Sequence, residues 1–321
     1  MLDFKLHLDD AVDPDQLFDL IIIGGGPAGL TAGLYAARYK LKTLMIEKSV
    51  MSGGQLVTTE WVENYPGFPE PILGEKLAKD MEDQAKLFGL EVVREDVLSV
   101  KLSGDIKEAK TAANTWKAKT ILIATGSSPR HLGIPGEAEY SGKGVSYCAT
   151  CDGPFFPDKV VAVVGGGNSA FEEALFIAKY ARKLYLMYVK DGLIADPILQ
   201  ERVAAEPKIE LIPNTVVEKI VYEDSPRYIQ IRNQDSDEQS KLETDGIFIF
   251  IGAIPNTDLF KGQLELEGGY VKSYPNNGTS VEGVWAAGDV QEKTLRQVAT
   301  AVGDGANAAF AIHKYLMFKK D

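Results

Sequence analysis

Cysteine is nearly missing from this chain of 321 residues: there are two, Cys148 and Cys151, so no disulfide framework can be built. Histidine is as scarce. His7, His131 and His313 stand at no finger spacing to the cysteines, so a zinc site lacks its four ligands and no metal is expected. Positive charge is short as well, with 34 Lys and Arg against 46 Asp and Glu. The net charge of −12 leaves no basic stripe to neutralise phosphates, which argues against nucleic acid as a partner and against an anionic membrane. A soluble partner reading a local basic patch stays open. Long apolar runs are absent too: LIIIGGG and IFIFIG are strand length, far short of a membrane span. The opening stretch MLDFKLHLDDAVDPDQ is acidic and carries no apolar core region, so a secretory leader is not expected. A lone, close-spaced cysteine pair suits a reducing cytoplasm, where thiols cycle.

What is present is a pattern that occurs twice. The length allows two domains, each with its own core. In the first copy the apolar strand Leu20–Ile23 runs into GGGPAG, a helix follows over LTAGLYAARY, and a second strand, TLMIE, ends at Glu47. In the second copy VVAVV, GGGNSA, FEEALFIAKYA and KLYLMY follow in the same order and end at Tyr188. The span from Gly29 to Glu47 equals that from Ala170 to Tyr188. Continuous, branched strands of this kind belong to buried parallel sheets. Three further strands, in TILIATGSSP, GIFIFIGAIPN and GVWAAGDV, end in glycine turns, where open α/β sheets bind ligands. The expected fold is α/β, with two nested Rossmann-like three-layer domains. Residues 1–126 and 246–321 would form a discontinuous domain, and residues 127–245 the insert that carries the cysteine pair. SSPRHLGIPG and LETDGI would be the linkers, and NQDSDEQSK reads as a surface hairpin turn.

Three motifs point to chemistry. Gly24, Gly26 and Gly29 form G-x-G-x-x-G between strand and helix, with Glu47 where an acid accepts hydrogen bonds from ribose hydroxyls. The glycines allow a tight turn, a close approach to a pyrophosphate and close helix packing. The second loop has Gly165, Gly167 and Ala170, with Asn168 and Ser169 in the turn, but its partner position is Tyr188, followed by Val189 and Lys190. Neither the acid that suits NAD nor the arginines that suit NADP stand there; Lys190 and, further off, Arg182 and Lys183 offer positive charge. A loop kept for packing alone is an open alternative. Cys148-Ala149-Thr150-Cys151 can switch between dithiol and disulfide, and a helix start there would lower one thiol's pKa. Asp152 is placed to return a proton to a leaving sulfur, or is simply a helix-start acid. Gly288-Asp289 puts a carboxylate at a turn tip, suited to a flavin's ribityl hydroxyls, though an ordinary Asx turn looks the same.

Together GGGPAG, GGQL, VENYPGF, ATGSSPR, CATCDG, GGGNSAFEEA and GVWAAGDV, followed by RQVATAVGDG, resemble the low-molecular-weight, FAD-containing thioredoxin reductases, over about Phe18 to Tyr315. The resemblance implies FAD in the discontinuous domain. Gly24, Gly26, Ala28 and Gly29 would face its pyrophosphate and Glu47 its adenosine ribose, with Pro27 and Lys48 as further cofactor-binding positions. Gly54, Gln55, Asn64, Val97, Thr125, Gly126, Gly288, Asp289, Arg296, Gln297 and Val298 match further flavin positions. It also implies that Cys151 faces the flavin and Cys148 attacks thioredoxin or a thioredoxin-like protein, with Asp152 as proton donor. A rotating inserted domain and a homodimer come with the family.

One departure concerns the electron donor. In the family the second strand ends in His-Arg-Arg with a further arginine nearby, which grips the 2′-phosphate of NADPH. Here Tyr188, Val189, Lys190 and Ile194 take those places. Each charge-assisted bond is worth roughly 1.5–3 kcal/mol, so several kcal/mol are lost. The chain therefore resembles the atypical members that lack this motif and take electrons from reduced ferredoxin, a deazaflavin or an unidentified donor. Two alternatives are use of NADPH or NADH through a reshaped site, and a flavin redox sensor without turnover.

Overall fold

The computed structural model describes residues 12–59, 61–62, 64–222 and 227–319. The chain divides into two compact units, Met1–Ser128 with Ile254–Asp321, and Pro129–Ala253. In the first, branched strands too apolar for any surface stack into a seven-stranded sheet. Its order is 91–93, 43–46, 17–23, 115–123, 107–110, 99–101, with 284–286 also paired to 115–123. The centre is parallel, with Ile21 opposite Ile121 and Leu44, and Ile123 opposite Ala286. Side chains alternate across it. Leu20 and Ile22 pack toward Ala28, Ala32, Ala308 and Ile312 of two helices, Pro27–Arg38 and Val298–Phe318. Ile21 and Ile23 pack into a second core with Trp116 and Phe260.

The second unit repeats the plan with five parallel strands, in the order 145–146, 246–249, 160–164, 183–187, 209–212. An antiparallel hairpin layer, 215–221, 228–233 and 239–243, follows. Its last turn is the hairpin expected at NQDSDEQSK, with Asp237 at φ +60°. The α/β architecture of two Rossmann-like sheets is as expected. The second boundary is not: it falls at 253/254, not 245/246. Gly246–Ile249 pairs in register with Val161–Val164, and the Asp245 N–H donates to the Val160 carbonyl, so the strand is central to the inserted sheet. LETDGI is consequently no linker.

Helix–helix approach in the first unit depends on missing side chains. A Cβ at Gly305 would stand 2.2 Å from the Ala28 carbonyl oxygen, whereas one at Gly303, on the same helix, would meet nothing within 4 Å. Gly305→Ala should therefore cost about 1–3 kcal/mol by overpacking. Gly303→Ala should stabilise by roughly 0.5–1 kcal/mol, because it removes only backbone freedom. Urea midpoints of the two variants, moving in opposite directions from the parent, check this.

Candidate active site

The first glycine loop is built by backbone approach. Gly24 has φ +103°, and a Cβ on it would lie 2.4 Å from the Ala124 carbonyl oxygen; one on Gly29 would lie 2.0 Å from the Gly24 carbonyl oxygen. Strand, turn and helix thus touch without side chains between them. Gly26 caps the helix that begins at Pro27, no side chain bonds its first N–H groups, and a Cβ at Gly26 would meet nothing within 4 Å. Glu47, buried, holds the loop: its carboxylate accepts the Gly25 N–H at 2.6 Å and the Ser49 N–H at 2.7 Å. Further lone pairs on the same carboxylate stay available for ribose hydroxyls.

Other expected residues gather around this loop. Gly54 (φ +55°) approaches Gly26 so closely that a Cβ would stand 3.5 Å from its Cα, and the Gly53 N–H donates to the Gly25 carbonyl. Gly288 (φ +81°) sits against the Ala28 methyl. Thr125 Oγ1 donates to the Asn256 carbonyl, and the Gly126 carbonyl accepts the Asn256 N–H. Gln55 Nε2 donates to the Ser127 carbonyl, Asn64 Nδ2 to Gln297 Oε1, and Gln297 caps the helix in which Val298 comes first. Lys48 is exposed, and the Val97 side chain is committed to the hydrophobic core. Any ligand contact of Val97 would have to come from its backbone.

Two polar atoms there have no hydrogen-bond partner. Asp289 Oδ1 and Arg296 Nε are buried without a hydrogen bond, and Lys293 Nζ stands 3.7 Å from Asp289, beyond hydrogen-bond range. Burial holds the Asp289 carboxyl above its ordinary range against the pull of Lys293 and Arg296. The Arg296 guanidinium lies 4.3 Å over the Tyr270 ring. Buried polar groups are normally satisfied, so orphans beside an uncapped helix start and an open glycine fit a bound group with hydroxyls and phosphates.

Sequence patterns did not reveal a bracket behind the loop. Arg94 donates to Ser52 Oγ at 2.8 Å and forks onto Glu82 at 2.7 and 2.9 Å; Lys86 reaches Glu82 at 2.8 Å. A Cβ on Gly25 would stand 2.9 Å from Ser52 Oγ, so the bracket abuts the loop. Burial alone would raise the Glu82 carboxyl, but bonds from Lys86, Arg94 and Ser52 bring it down to about 2.

In the second unit Cys148 is disulfide-bonded, and the chain's one other cysteine is Cys151. The helix after Cys148 is a single turn, Ala149–Asp152. The flank is firmly held. Buried Ser146 Oγ accepts the Cys148 N–H at 3.0 Å, and Tyr147 donates its phenol proton to buried Glu137 at 2.7 Å. With that proton spent, the phenol oxygen accepts from His131 Nδ1 at 2.7 Å. A recess of about 320 Å³ beside Asp152 is lined by Lys143, Lys159, Arg227 and Phe155, whose ring is 76% exposed.

The second glycine loop matches the first in backbone. A Cβ on Gly165 (φ +146°) would lie 2.2 Å from the Phe250 carbonyl oxygen, Ala170 packs against Gly165, and no side chain caps the helix begun by Asn168. Its charges differ. Lys190 Nζ donates to Asp235 at 2.7 Å. Arg182 and Lys183 lie at the opposite end of their strand, Lys183 paired with Glu210, so they offer the loop nothing. Asn168 bonds Asp196, Ser169 is exposed, and Ile194 lies over Gly167. Among the described residues no His, Cys, Asp and Glu group could hold a metal, and no helix is long and apolar enough to cross a membrane.

Two glycine-loop units with a disulfide in the second define a flavin- and nucleotide-type disulfide oxidoreductase. The profile of the pyridine nucleotide-disulphide oxidoreductases matches residues 18–305. Thioredoxin reductase of Peptoclostridium acidaminophilum is 46% identical over 309 residues, covering 94% of this chain and 98% of that protein. The solved structure of Lactococcus lactis thioredoxin reductase superposes with a TM-score of 0.85 at 39% identity, covering 94% of this chain and 99% of that one. A ferredoxin-flavin thioredoxin reductase from Clostridium acetobutylicum is 29% identical with a TM-score of 0.52, covering 94% and 99%. The chain belongs to the low-molecular-weight thioredoxin reductase family within the pyridine nucleotide-disulphide oxidoreductases. It is accordingly an enzyme, a flavoprotein disulfide oxidoreductase of the thioredoxin reductase type.

Two measurements probe the cradle. The Glu82 carboxyl is depressed from 4.5 to about 2, so its contribution is complete above about pH 4.5 and drains away as pH falls toward 2. Glu82→Gln should cost about 2 kcal/mol at pH 7, discounted for the half-exposed Lys86, and progressively less toward pH 2 in urea unfolding. An equal gap at pH 7 and 3 would contradict the assignment. Asp289→Ala should weaken flavin retention roughly 10- to 100-fold, as loss of one charge-assisted bond implies. Flavin titration of the apoprotein reads this directly.

Proposed function

We propose that the chain is an FAD-dependent thioredoxin reductase whose electron donor is not NADPH. What carries the reading is one chain holding both a glycine-loop cradle with orphaned Asp289 and Arg296 and a firmly braced disulfide at Cys148. FAD suits that cradle: the loop and uncapped helix for the pyrophosphate, Glu47 for the ribose, Asp289 for the ribityl hydroxyls. Bound there, the flavin supplies an electron pair.

The chain's own residues then act in order. Two electrons and two protons open the Cys148–Cys151 disulfide to a dithiol. Cys148 gives its proton to Asp152 and, as thiolate, attacks one sulfur of the partner's disulfide, expelling the other, which takes that proton back from Asp152. Cys151 then attacks the Cys148 sulfur of the mixed disulfide, and its own proton goes to the partner sulfur expelled there. The partner leaves as a dithiol and the internal disulfide is restored. The similarity to thioredoxin reductases supports thioredoxin or a thioredoxin-like protein as that partner. Lys143, Lys159 and Arg227 line the recess beside Asp152 together with Asp245, which pairs with Lys159, and Phe155 offers an exposed apolar side chain there. A cytoplasmic homodimer completes the reading, on the resemblance.

Against NADPH stand Tyr188 in place of the histidine, Val189 and Ile194 in place of arginines, and a Lys190 already paired with Asp235. Reduced ferredoxin and NADH are the candidate donors. Anaerobic mixing with NADPH, NADH and reduced ferredoxin in parallel, followed at the flavin absorbance, decides among them. NADPH should bleach the flavin least; rapid bleaching by micromolar NADPH would remove the donor claim. Cys148→Ser and Cys151→Ser should each lower thioredoxin reduction by more than about 1,000-fold while flavin content stays unchanged. Turnover surviving in either variant would rule out the exchange mechanism.

A further inference from the structure

The second strand of the inserted unit ends without the acid that an adenosine ribose needs, yet tertiary structure supplies one. The tip of the hairpin between 228–233 and 239–243 folds against that strand end. Gln234 Oε1 accepts the Lys190 N–H at 2.6 Å, and the Gln234 N–H donates to the Asn214 carbonyl at 2.7 Å. Thr215 in turn donates its N–H to the Tyr188 carbonyl, which ties the strand end to the hairpin layer. Asp235 is thereby fixed from two sides, by Lys190 Nζ at 2.7 Å on Oδ1 and by Asn214 Nδ2 at 2.6 Å on Oδ2. We propose that the second glycine loop takes an adenine dinucleotide lacking the 2′-phosphate, and that Asp235 is the residue that sets this preference.

Each Asp235 oxygen receives one donor, which leaves lone pairs for a ribose diol. The side chain is 46% exposed and so can be reached. Lys190 holds its carboxyl below the ordinary range, so it carries a full charge at neutral pH. A 2′-phosphate in the same place would meet a carboxylate, with the nearby ammonium already engaged by it. Asp191 adds negative charge at the same turn. Lys183, five residues before Tyr188 along an extended strand, is roughly 16 Å from it at about 3.3 Å per residue. Val189 and Ile194, both exposed, present aliphatic surface where a phosphate would want guanidinium, and aliphatic surface suits a purine face. The pyrophosphate would rest on the uncapped N–H groups of the helix Asn168–Ala178. Asp196, bonded to Asn168, opposes it there and weakens binding of either dinucleotide alike. The preference thus lives at the ribose end.

This inference deepens the reading above by naming the donor class, but its test reads binding and needs no turnover. The oxidised, flavin-loaded, full-length protein is titrated calorimetrically with NAD⁺ and with NADP⁺. NAD⁺ should bind at least about tenfold tighter than NADP⁺, the ratio that one opposed charge commonly produces. Asp235→Asn should narrow the ratio, Asp235→Lys should invert it, and Asp235→Glu should keep it. A stronger or equal affinity for NADP⁺, no saturable NAD⁺ binding, or a ratio unchanged in folded Asp235→Asn would overturn the proposal. Thioredoxin reduction by the same preparation with dithionite as reductant is scored separately. Its success alongside failed NAD⁺ binding would leave the disulfide reductase standing and sink this inference alone.

Discussion

The first unit depends on backbone lying against backbone where no side chain could fit. Gly29 rests on the carbonyl of Gly24, Gly24 on that of Ala124, and Gly305 on that of Ala28. These contacts draw the strand, the turn and two helices so close that the helix beginning at Pro27 starts directly over the sheet's carboxyl edge. Its first N–H groups then have no side-chain cap, which suits them to receive negative charge. The same approach carries Gly288, and with it Asp289, up to Ala28. The cradle at this loop is in this sense a by-product of packing.

Carboxylates divide the remaining labour. Glu47 spends itself on the N–H groups of the loop, and Glu82 on Arg94 and Lys86 behind it. Glu137 holds Tyr147 next to Cys148 and collects the backbone N–H groups of Leu132 and Gly133. Each is buried with its partners, as a buried charge must be. Asp289 is the exception: its Oδ1 is buried without a hydrogen bond, and Lys293 stands 3.7 Å from it. In a chain with so large an acidic excess, Arg94 and Lys86 are placed behind the loop, where the buried carboxylate of Glu82 needs them.

The two glycine loops share a backbone and differ in what surrounds them. Both open on an uncapped helix, and both force a glycine into positive φ against a carbonyl. The first is followed at its strand end by its own acid; the second borrows one from a hairpin. A duplicated nucleotide unit can thus keep its geometry while its selectivity drifts, since turn geometry and ribose contacts rest on different residues.

The sequence by itself determined the α/β plan, the two strand–turn–helix units, the loop with Glu47, and the cysteine pair. Strand and helix periodicity, and glycine at positive φ, are local demands that neighbouring residues must meet. Where it misled, distance and direction were the cause. The apolar strand 246–249 would suit either sheet, and only its pairing with 160–164 assigns it to the inserted unit. Arg182 and Lys183 are few residues from Tyr188, yet the strand carries them to its other end. Arg94 beside Ser52, and Asp235 beside Lys190, meet across 42 and 45 residues. Those encounters are fixed by sheet register and hairpin docking, so the charges around each loop were for the tertiary structure alone to decide.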